Sequence, residues 1–221
     1  MAEPNLLRDD EIVIDAAGAN VAGRLTVPGQ PRGIVVFAHG SGSSRHSPRN
    51  RFVAEVLQSA GLGTLLFDLL TDAEEANRAN VFDIDLLSAR LLAVTEWLKS
   101  ARDTTGLPVG YFGASTGAGA ALRAASDPRA DIFAVVSRGG RPDLAGAAAL
   151  GAVRAPTLFI VGSRDPQVLD LNRAAAAAMT AECEVAVVAG ATHLFEESGT
   201  LEQVAVLART WFTDHLTPIP L

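Results

Sequence analysis

The feature that most constrains this chain is a regular alternation between short apolar runs and amphipathic helical segments. The runs Gly33–Ala38 and Leu62–Phe67 are almost wholly apolar, which is typical of strands that are buried on both faces. Between them, Ser47-Pro48 predicts the start of a helix and Gly61 predicts its end. This alternation predicts the α/β class, with a mostly parallel central sheet flanked by helices.

The same alternation continues along the rest of the chain. Further strands are predicted at Glu11–Asp15, Val21–Val27, Val109–Phe112, Ala134–Ser137, Thr157–Val161 and Glu184–Val188. Helices are predicted at Ile84–Leu98, Thr116–Ser126, Leu144–Leu150 and Leu169–Met179, with a last helix opened by a capping box of Thr200 and Gln203. In such sheets ligands bind at the carboxyl ends of the strands, so we expect the functional residues in the loops that follow strands.

Length and composition predict one domain over residues 1–221. The net charge of −7 argues against a nucleic-acid binder, which usually presents a basic face. Cys183 is the single cysteine, so neither an internal disulfide nor a zinc site built from cysteines is expected. No apolar run reaches the roughly 18 residues of a membrane helix, and Met1–Asn5 lack the features of a signal peptide. We therefore expect a cytoplasmic protein that binds neither nucleic acid nor membrane.

A candidate nucleophile lies in a loop that follows a strand. The segment Gly113–Gly117 reads G-x-S-x-G and stands directly between a predicted strand and a predicted helix. A serine on so sharp a turn takes an unfavourable backbone conformation, and the glycines two residues away leave room for it. The turn exposes the Ser115 hydroxyl at the positive end of the following helix. The alternative is that Ser115 merely caps that helix, a position where serine is common.

A serine hydroxyl needs a neighbouring base before it can act as a nucleophile. His193 follows the last predicted strand and is the expected base, while Asp165 follows the strand before it and is expected to orient the imidazole. Asp170 is the alternative acid, and Asp165 has the alternative role of a turn residue before Pro166. The order Ser115, Asp165, His193 is that of the α/β-hydrolase fold and excludes the chymotrypsin and subtilisin orders.

The glycine-rich loop after the third predicted strand is the expected source of an oxyanion hole. We assign one donor to the backbone N–H of Thr116 and the other to that of Ser41, with Gly42 as the alternative. His39 in the same loop is expected to be structural and to hold the loop by hydrogen bonds. His215, at the end of the last helix, is expected to be a solvated polar residue.

Together these residues resemble the α/β-hydrolase superfamily, and within it the dienelactone-hydrolase-like branch, over nearly the whole chain. The resemblance is carried by the segments His39–Asn50, Leu65–Thr71, Tyr111–Leu122, Ser137–Gly146, Ala155–Asp165 and Gly190–Glu197. These segments are similar to a bacterial group of small hydrolases that are sometimes fused to a phosphoribosyltransferase domain, which we do not expect within 221 residues. Dienelactone hydrolases proper use a cysteine nucleophile, whereas residue 115 is serine. The resemblance therefore implies a general carboxylic ester as substrate rather than dienelactone.

A group of basic residues is expected to flank the site because its two segments both follow strands. Arg45, His46 and Arg49 lie in the first segment, and Arg138 and Arg141 lie in the second. The arginine fork suits a carboxylate or a phosphate. We therefore regard Arg45, His46, Arg138 and Arg141 as candidates for substrate binding. The alternative is a set of salt bridges that joins two loops.

The expected function is that of a serine hydrolase for small carboxylic esters, with lactones and thioesters open to the same chemistry. Its partner is a small-molecule ester, and no metal or organic cofactor is needed. Few residues separate the strands Ala134–Ser137 and Thr157–Val161, so we expect no separate lid domain and an open, shallow site for short acyl groups.

One alternative is a non-catalytic module that keeps the fold and binds an anion or a partner. Another is a Rossmann-type nucleotide binder, which the glycine spacing in Gly113–Gly119 disfavours.

Overall fold

The computed structural model describes residues 6–216 of the chain. Its strands are β1 (Leu6–Ala16), β2 (Ala19–Pro28), β3 (Gly33–Ala38), β4 (Leu62–Phe67), β5 (Val109–Ala114), β6 (Ile132–Arg138), β7 (Thr157–Gly162) and β8 (Cys183–Val188). The segment Met1–Asn5, on which the expectation about a signal peptide rests, lies outside the described residues.

Helices connect most of these strands. They are α1 (Pro48–Ser59), α2 (Asp72–Glu75), α3 (Arg78–Val81), α4 (Ile84–Ser100), α5 (Thr116–Ala125), α6 (Ala147–Ala152), α7 (Pro166–Ala178) and α8 (Thr200–Asp214), with a 3-10 turn at Pro142–Ala145. Among residues 6–216, no helix has the length and apolar character needed to cross a membrane.

The strands form one sheet in the order β1-β2-β4-β3-β5-β6-β7-β8. β1 and β2 form an antiparallel hairpin and β2 pairs antiparallel with β4, whereas all pairings from β4 to β8 are parallel. The predicted α/β class with a mostly parallel, helix-flanked sheet is confirmed. Between β6 and β7 the chain has only the 3-10 turn and the six-residue helix α6, which is too short a connection for a separate lid domain.

The apolar core is divided between the two faces of the sheet because successive side chains of a strand point to opposite faces. In β3, Ile34 and Val36 pack towards α4 and α5, on what we call the first face. Val35 and Phe37 pack towards α1 and α8, on the second face. These four side chains are at most 2% exposed, and full burial of such a side chain stabilises the fold by about 1.5–3 kcal/mol.

The start of the last helix differs from the prediction. Gly199 is the N-cap residue of α8, with φ +79°, and Thr200 is the first helical residue. The Thr200 hydroxyl donates to the carbonyl of Glu197 at 2.7 Å. Because Thr200 lies one position inside the helix, the predicted capping box with Gln203 is wrong. The apolar face of α8 is buried, with Val204, Ala205, Ala208, Trp211 and Phe212 at most 8% exposed.

The sequence pattern predicts neither α2 nor α3, because each is a single turn and too short to show an apolar period. A capping box nevertheless opens α2. Thr71 Oγ1 accepts from the N–H of Glu74 at 3.3 Å, and the Glu74 carboxylate accepts from the N–H of Thr71 at 2.9 Å. The two short helices follow the carboxyl end of β4, and residues of both line the cavity that is described below.

Arg90 of α4 fixes the position of α2. Its side chain is only 2% exposed, pairs with the Glu74 carboxylate, and donates to the carbonyl oxygens of Ala16 and Ala17 in the β1–β2 turn. Burial opposes ionisation of Glu74, but hydrogen bonds from Thr71 and the charge of Arg90 lower its pKa. One buried cation thus connects the hairpin, α2 and α4.

Replacing Glu74 by Gln is expected to destabilise the fold by about 3 kcal/mol, because Arg90 loses its counter-charge while Gln can still cap α2. Urea unfolding at pH 7 measures the change. Since folding lowers the pKa of Glu74, the difference from wild type should be complete above about pH 4.5 and should disappear at lower pH.

The control is Glu96→Gln, which removes a surface partner of Lys99 on the same helix and should cost less than about 1 kcal/mol. Equal costs for Glu74→Gln and Glu96→Gln would contradict the role of the Arg90 ion pair.

Candidate active site

Ser115 occupies a strained turn between β5 and α5. Its backbone has φ +50° and ψ −121°, a conformation that residues with a side chain rarely adopt. The Ser115 N–H donates to the carbonyl of Arg138 at 3.2 Å, which ties the turn to the end of β6. The side chain makes no capping hydrogen bond to α5. The alternative in which Ser115 only caps the helix therefore does not hold, and its hydroxyl is available for chemistry.

Close backbone contacts require both glycines of this turn. A Cβ at Gly113 would lie 2.4 Å from Cα of Ala118. One at Gly117 would lie 2.2 Å from the carbonyl oxygen of Ala38 and 2.4 Å from that of His39. The glycine spacing therefore has the predicted steric cause, and it lets β5 and α5 approach the loop after β3 closely.

Asp165 and His193 meet at the ends of β7 and β8. Oδ2 of Asp165 lies 2.6 Å from Nδ1 of His193, the distance of a strong charge-assisted hydrogen bond. Because a carboxylate only accepts, Nδ1 carries the proton and Nε2 is left as the basic nitrogen. Asp165 is 16% exposed and makes no capping hydrogen bond to α7. Asp170, the alternative acid, is 80% exposed beside Arg173.

Backbone contacts hold the loops after β7 and β8 against each other. The N–H of Arg164 donates to the carbonyl of Ala191, and that of Ser163 donates to the carbonyl of Val188, both at 2.9 Å. A Cβ at Gly162 would lie 2.3 Å from the Ala191 carbonyl oxygen. The close packing of these loops fixes the carboxylate relative to the imidazole.

The turn after β6 lies between the serine and the histidine. The carbonyl of Arg138 accepts from the Ser115 N–H. The next residue, Gly139, has φ +51°, and a Cβ there would lie 3.5 Å from Nδ1 of His193. The structure thus brings Ser115, Asp165 and His193 to one edge of the sheet. Ser115 lies on one side of the segment Arg138–Gly139, and the Asp165–His193 pair lies on the other.

Two residues that position these loops are not singled out by the sequence analysis. The carboxylate of Glu197 accepts from the N–H of Thr192 at 3.1 and 3.2 Å. Hydrogen bonding by the side chain of Thr192, followed by that of its backbone, lowers the pKa of Glu197. The fully buried Asn172 of α7 donates to the carbonyl oxygens of Gly140 at 2.9 Å and Val168 at 2.7 Å. Asparagine is disfavoured inside helices. An asparagine within the predicted helix Leu169–Met179 could therefore have indicated a residue kept for its hydrogen bonds.

His39 holds the loop after β3, as predicted. Its Nε2 accepts from the N–H of Leu69 at 3.0 Å, so Nδ1 carries the proton and donates to the carbonyl of Gly40 at 3.0 Å. Burial lowers the pKa of His39, which favours this neutral form. A Cβ at Gly40 would lie 3.1 Å from Cβ of Ser115, so the loop is held directly against the serine.

A cavity of about 310 Å³ lies on the first face of the sheet, and Thr116, the residue after Ser115, lines it. Ser41, Gly42 and Thr116 all line it, so the expected oxyanion donors border one space. The N–H of Thr116, the first residue of α5, has no acceptor within its own helix. Apolar side chains from the loop after β4, α3 and α4 form the opposite wall: Leu69, Leu70, Val81 and Leu87. The expectation of an open, shallow site stays a prediction.

Two of the predicted substrate-binding residues have carboxylate partners. Arg45 pairs with Asp68 and, at 3.2 Å, with Glu11. Arg141 pairs with Asp143 at 2.7 Å. For these two arginines the structure favours the alternative of salt bridges, and the Arg45 pair joins β1 to the loops after β3 and β4.

The other two predicted substrate-binding residues differ in their surroundings. His46 is exposed at the rim of the cavity. Arg138 is 8% exposed, and its Nη1 is buried without a hydrogen-bond acceptor. Substrate binding by either residue remains a prediction. Among residues 6–216, the structure contains no cluster of three or more His, Cys, Asp or Glu side chains suited to a metal ion.

Known proteins resemble this chain in sequence and in structure. Residues 31–207 match the family model described as an alpha/beta hydrolase domain. The crystal structure of a dienelactone hydrolase from Anabaena variabilis matches 95% of this chain and 99% of that chain, with 50% identity and a TM-score of 0.92. An esterase from Pyrococcus furiosus matches 95% of this chain and 92% of that chain, with 17% identity and a TM-score of 0.74, which shows a shared fold.

Two curated proteins from strains of Mycobacterium tuberculosis are each 69% identical to this chain over 210 residues. Their names assign them provisionally to the phosphoribosyl transferases. The match covers 95% of this chain and 47% of each relative. The chain thus spans about half the length of the curated relatives it matches.

Replacing Gly117 by Ala is expected to destabilise the fold by at least about 2 kcal/mol, because the new methyl group meets backbone oxygens that cannot move independently. The matched control is Gly151→Ala in α6, where nothing lies within 4 Å of an added Cβ and helix propensity predicts a neutral or slightly stabilising change. Urea unfolding of both variants measures the difference. Equal stabilities would show that the turn tolerates a side chain at residue 117.

Proposed function

The chain belongs to the alpha/beta hydrolase family, and from this we propose that it is a serine hydrolase that cleaves small carboxylic esters. Ser115 is the proposed nucleophile, His193 the base and Asp165 the residue that orients it. The observation that carries the proposal is a serine held at φ +50° on the same sheet edge as a histidine–aspartate pair at 2.6 Å. A strained serine backbone costs free energy, and acyl transfer requires a nucleophile, a base and an orienting acid in such an arrangement.

In the proposed reaction, Ser115 Oγ attacks the carbonyl carbon of the ester while Nε2 of His193 takes the hydroxyl proton. Asp165 holds the Nδ1–H and stabilises the imidazolium. The alcohol leaves with the proton from His193, and the acyl group stays on Ser115. Water then attacks this acyl-enzyme with His193 again as base, which releases the carboxylic acid and restores the serine.

The backbone N–H groups of Thr116 and Ser41 are the proposed donors to the oxyanion, with Gly42 as the alternative to Ser41. Thr116 lies at the positive end of α5, which favours negative charge. Loss of one such donor costs about 3 kcal/mol of transition-state stabilisation. The neutral His39 supports this arrangement because its two hydrogen bonds hold the loop against Ser115.

The cavity beside Ser115 is the proposed site for the acyl group. It borders the proposed oxyanion donors, and Leu69, Leu70, Val81 and Leu87 form its far wall. Its volume of about 310 Å³ limits the length of the acyl chain that it can hold. Lactones and thioesters are open to the same chemistry, because the nucleophile attacks the same carbonyl carbon.

The names of the relatives bear on substrate and reaction type. The Anabaena variabilis protein is named a dienelactone hydrolase, but the serine at residue 115 favours a general carboxylic ester for this chain. The region shared with the mycobacterial relatives contains the Ser115 turn and the Asp165–His193 pair. We propose hydrolysis as the activity of this region.

Ser115→Ala, Asp165→Asn and His193→Ala are each expected to lower kcat for p-nitrophenyl acetate by about a thousandfold or more, because each removes a member of one catalytic unit. Release of p-nitrophenol measures this, and circular dichroism checks that the variants fold. Asp170→Asn, a change at an 80% exposed side chain, should keep wild-type activity.

A fluorophosphonate probe distinguishes this proposal from a non-catalytic module that keeps the fold. Labelling of wild type but not of Ser115→Ala would support an activated serine. If the wild type neither turned over the ester nor reacted with the probe, the non-catalytic module would be favoured.

For p-nitrophenyl esters of increasing acyl length, kcat/KM is expected to fall about tenfold or more beyond the length that fills the cavity, because a longer chain clashes with the cavity wall and displaces the ester carbonyl from Ser115. Val81→Trp narrows the cavity and should move this limit to a shorter acyl chain. A preference for long acyl chains in the wild type would contradict the assignment of the cavity to the acyl group.

A further inference from the structure

Arg138 is a buried cation without an anionic partner in the described part of the chain. The residue is 8% exposed, and its Nη1 has no hydrogen-bond acceptor. The guanidinium forms no salt bridge with any carboxylate of residues 6–216, unlike Arg45, Arg90 and Arg141. Removing a charged group from water costs free energy, which a partner of opposite charge and hydrogen-bond acceptors recover. A ligand is the natural source of that partner.

Arg138 lies on the second face of the sheet, opposite the cavity. Side chains alternate along β6, so that Val135 packs on the first face and Val136 on the second. The side chain of Arg138, two residues beyond Val136, therefore also points to the second face. Its carbonyl oxygen accepts from the Ser115 N–H. The guanidinium and the cavity thus lie on opposite sides of the proposed nucleophile.

Arg49 of α1 brings a second positive charge to this place. Its Nε is buried without an acceptor, and its Nη1 pairs at 3.2 Å with Glu196, a residue that is 63% exposed. Burial, followed by the charge of Arg49, lowers the pKa of Arg138 to about 10. The two guanidinium groups repel each other, and the one carboxylate beside them, Glu196, pairs only with Arg49. Together they lack one negative charge.

We propose that Arg138 and Arg49 bind an oxyanionic group, a carboxylate or a phosphate, carried by the alcohol half of the ester. The acyl group occupies the cavity on the first face, so the half of the substrate beyond the ester oxygen extends to the second face. Guanidinium groups bind both kinds of oxyanion through paired N–H donors. The link to turnover rests on the proposed esterase function, whereas binding of the anion does not.

Anion binding is tested without turnover by thermal unfolding in sodium phosphate, sodium acetate and sodium chloride at equal ionic strength. We expect phosphate or acetate to raise the Tm of the wild type by about 3 °C at ten times its dissociation constant. Arg138→Met should abolish this rise, and Arg123→Met, which removes a surface partner of Asp85, should keep it.

The anion-free stability of Arg138→Met is a second readout. Replacing an unpaired buried charge with an apolar side chain of similar size is expected to leave Tm unchanged or raise it. No response of the wild type to either anion, an equal response in Arg138→Met, or a lower anion-free Tm in that variant would each overturn the proposal in favour of a structural arginine.

Kinetics then test the link to the substrate with three acetate esters of similar shape: 4-acetoxybenzoate, 4-acetoxyphenyl phosphate and the neutral 4-acetoxybenzamide. Arg138→Met should raise KM for at least one anionic ester about tenfold to a hundredfold and change KM for the amide less than about twofold. Whichever anion gives the larger change identifies the preferred group.

Equal changes in KM for all three esters would overturn the proposed link to substrate specificity. If the wild type hydrolyses none of the three esters and yet shows the Arg138-dependent rise in Tm, the esterase proposal fails while the anion subsite stands.

Discussion

The strained backbone of Ser115 is the constraint on which the rest of the site depends. A positive φ at a serine persists only when its surroundings hold it. Here the end of β6 accepts its N–H, and backbone atoms of the loop after β3 lie where a Cβ of Gly117 would be. The loops after three neighbouring strands therefore have to be in place before the serine can take its position. The same contacts bring the amides of Ser41 and Thr116 to a common cavity.

Backbone contacts also connect the remaining loops. The loop after β7 donates two main-chain hydrogen bonds, both at 2.9 Å, to the carbonyls of Val188 and Ala191. Asn172 of α7 donates to the turn after β6. Main-chain hydrogen bonds do not depend on side-chain rotamers, so the relative positions of Asp165, His193 and Ser115 follow from the sheet itself. Preorganisation of this kind is what electrostatic stabilisation of a transition state requires, because no free energy is then spent on reorientation during the reaction.

The sequence was sufficient for features that depend on local pattern and insufficient for those that depend on distant partners. Apolar runs identified strands such as Leu62–Phe67 with their observed ends, and steric reasoning explained Gly113 and Gly117. The capping box at Thr200 was wrong because the pattern does not show which residue begins the helix. The partner of Arg45 on β1, Glu11, is 34 positions away in the chain, and no local signal links the two. The charge of Arg49 on α1 likewise acts on Arg138, 89 positions further along the chain, and no local signal links these two residues either.

The distribution of charge around Ser115 connects the fold to specificity. On the first face, the single arginine of the cavity wall is paired with Asp68, while Asp72 and Glu75 also line the space, so an anionic acyl group would meet like charges. On the second face, Arg138 lacks a carboxylate partner within the described chain. Under the proposed function, an ester with a short neutral acyl group and an anionic alcohol half matches both faces, whereas the reverse orientation would place a negative charge against carboxylates. Such repulsion excludes the wrong orientation as effectively as attraction selects the right one.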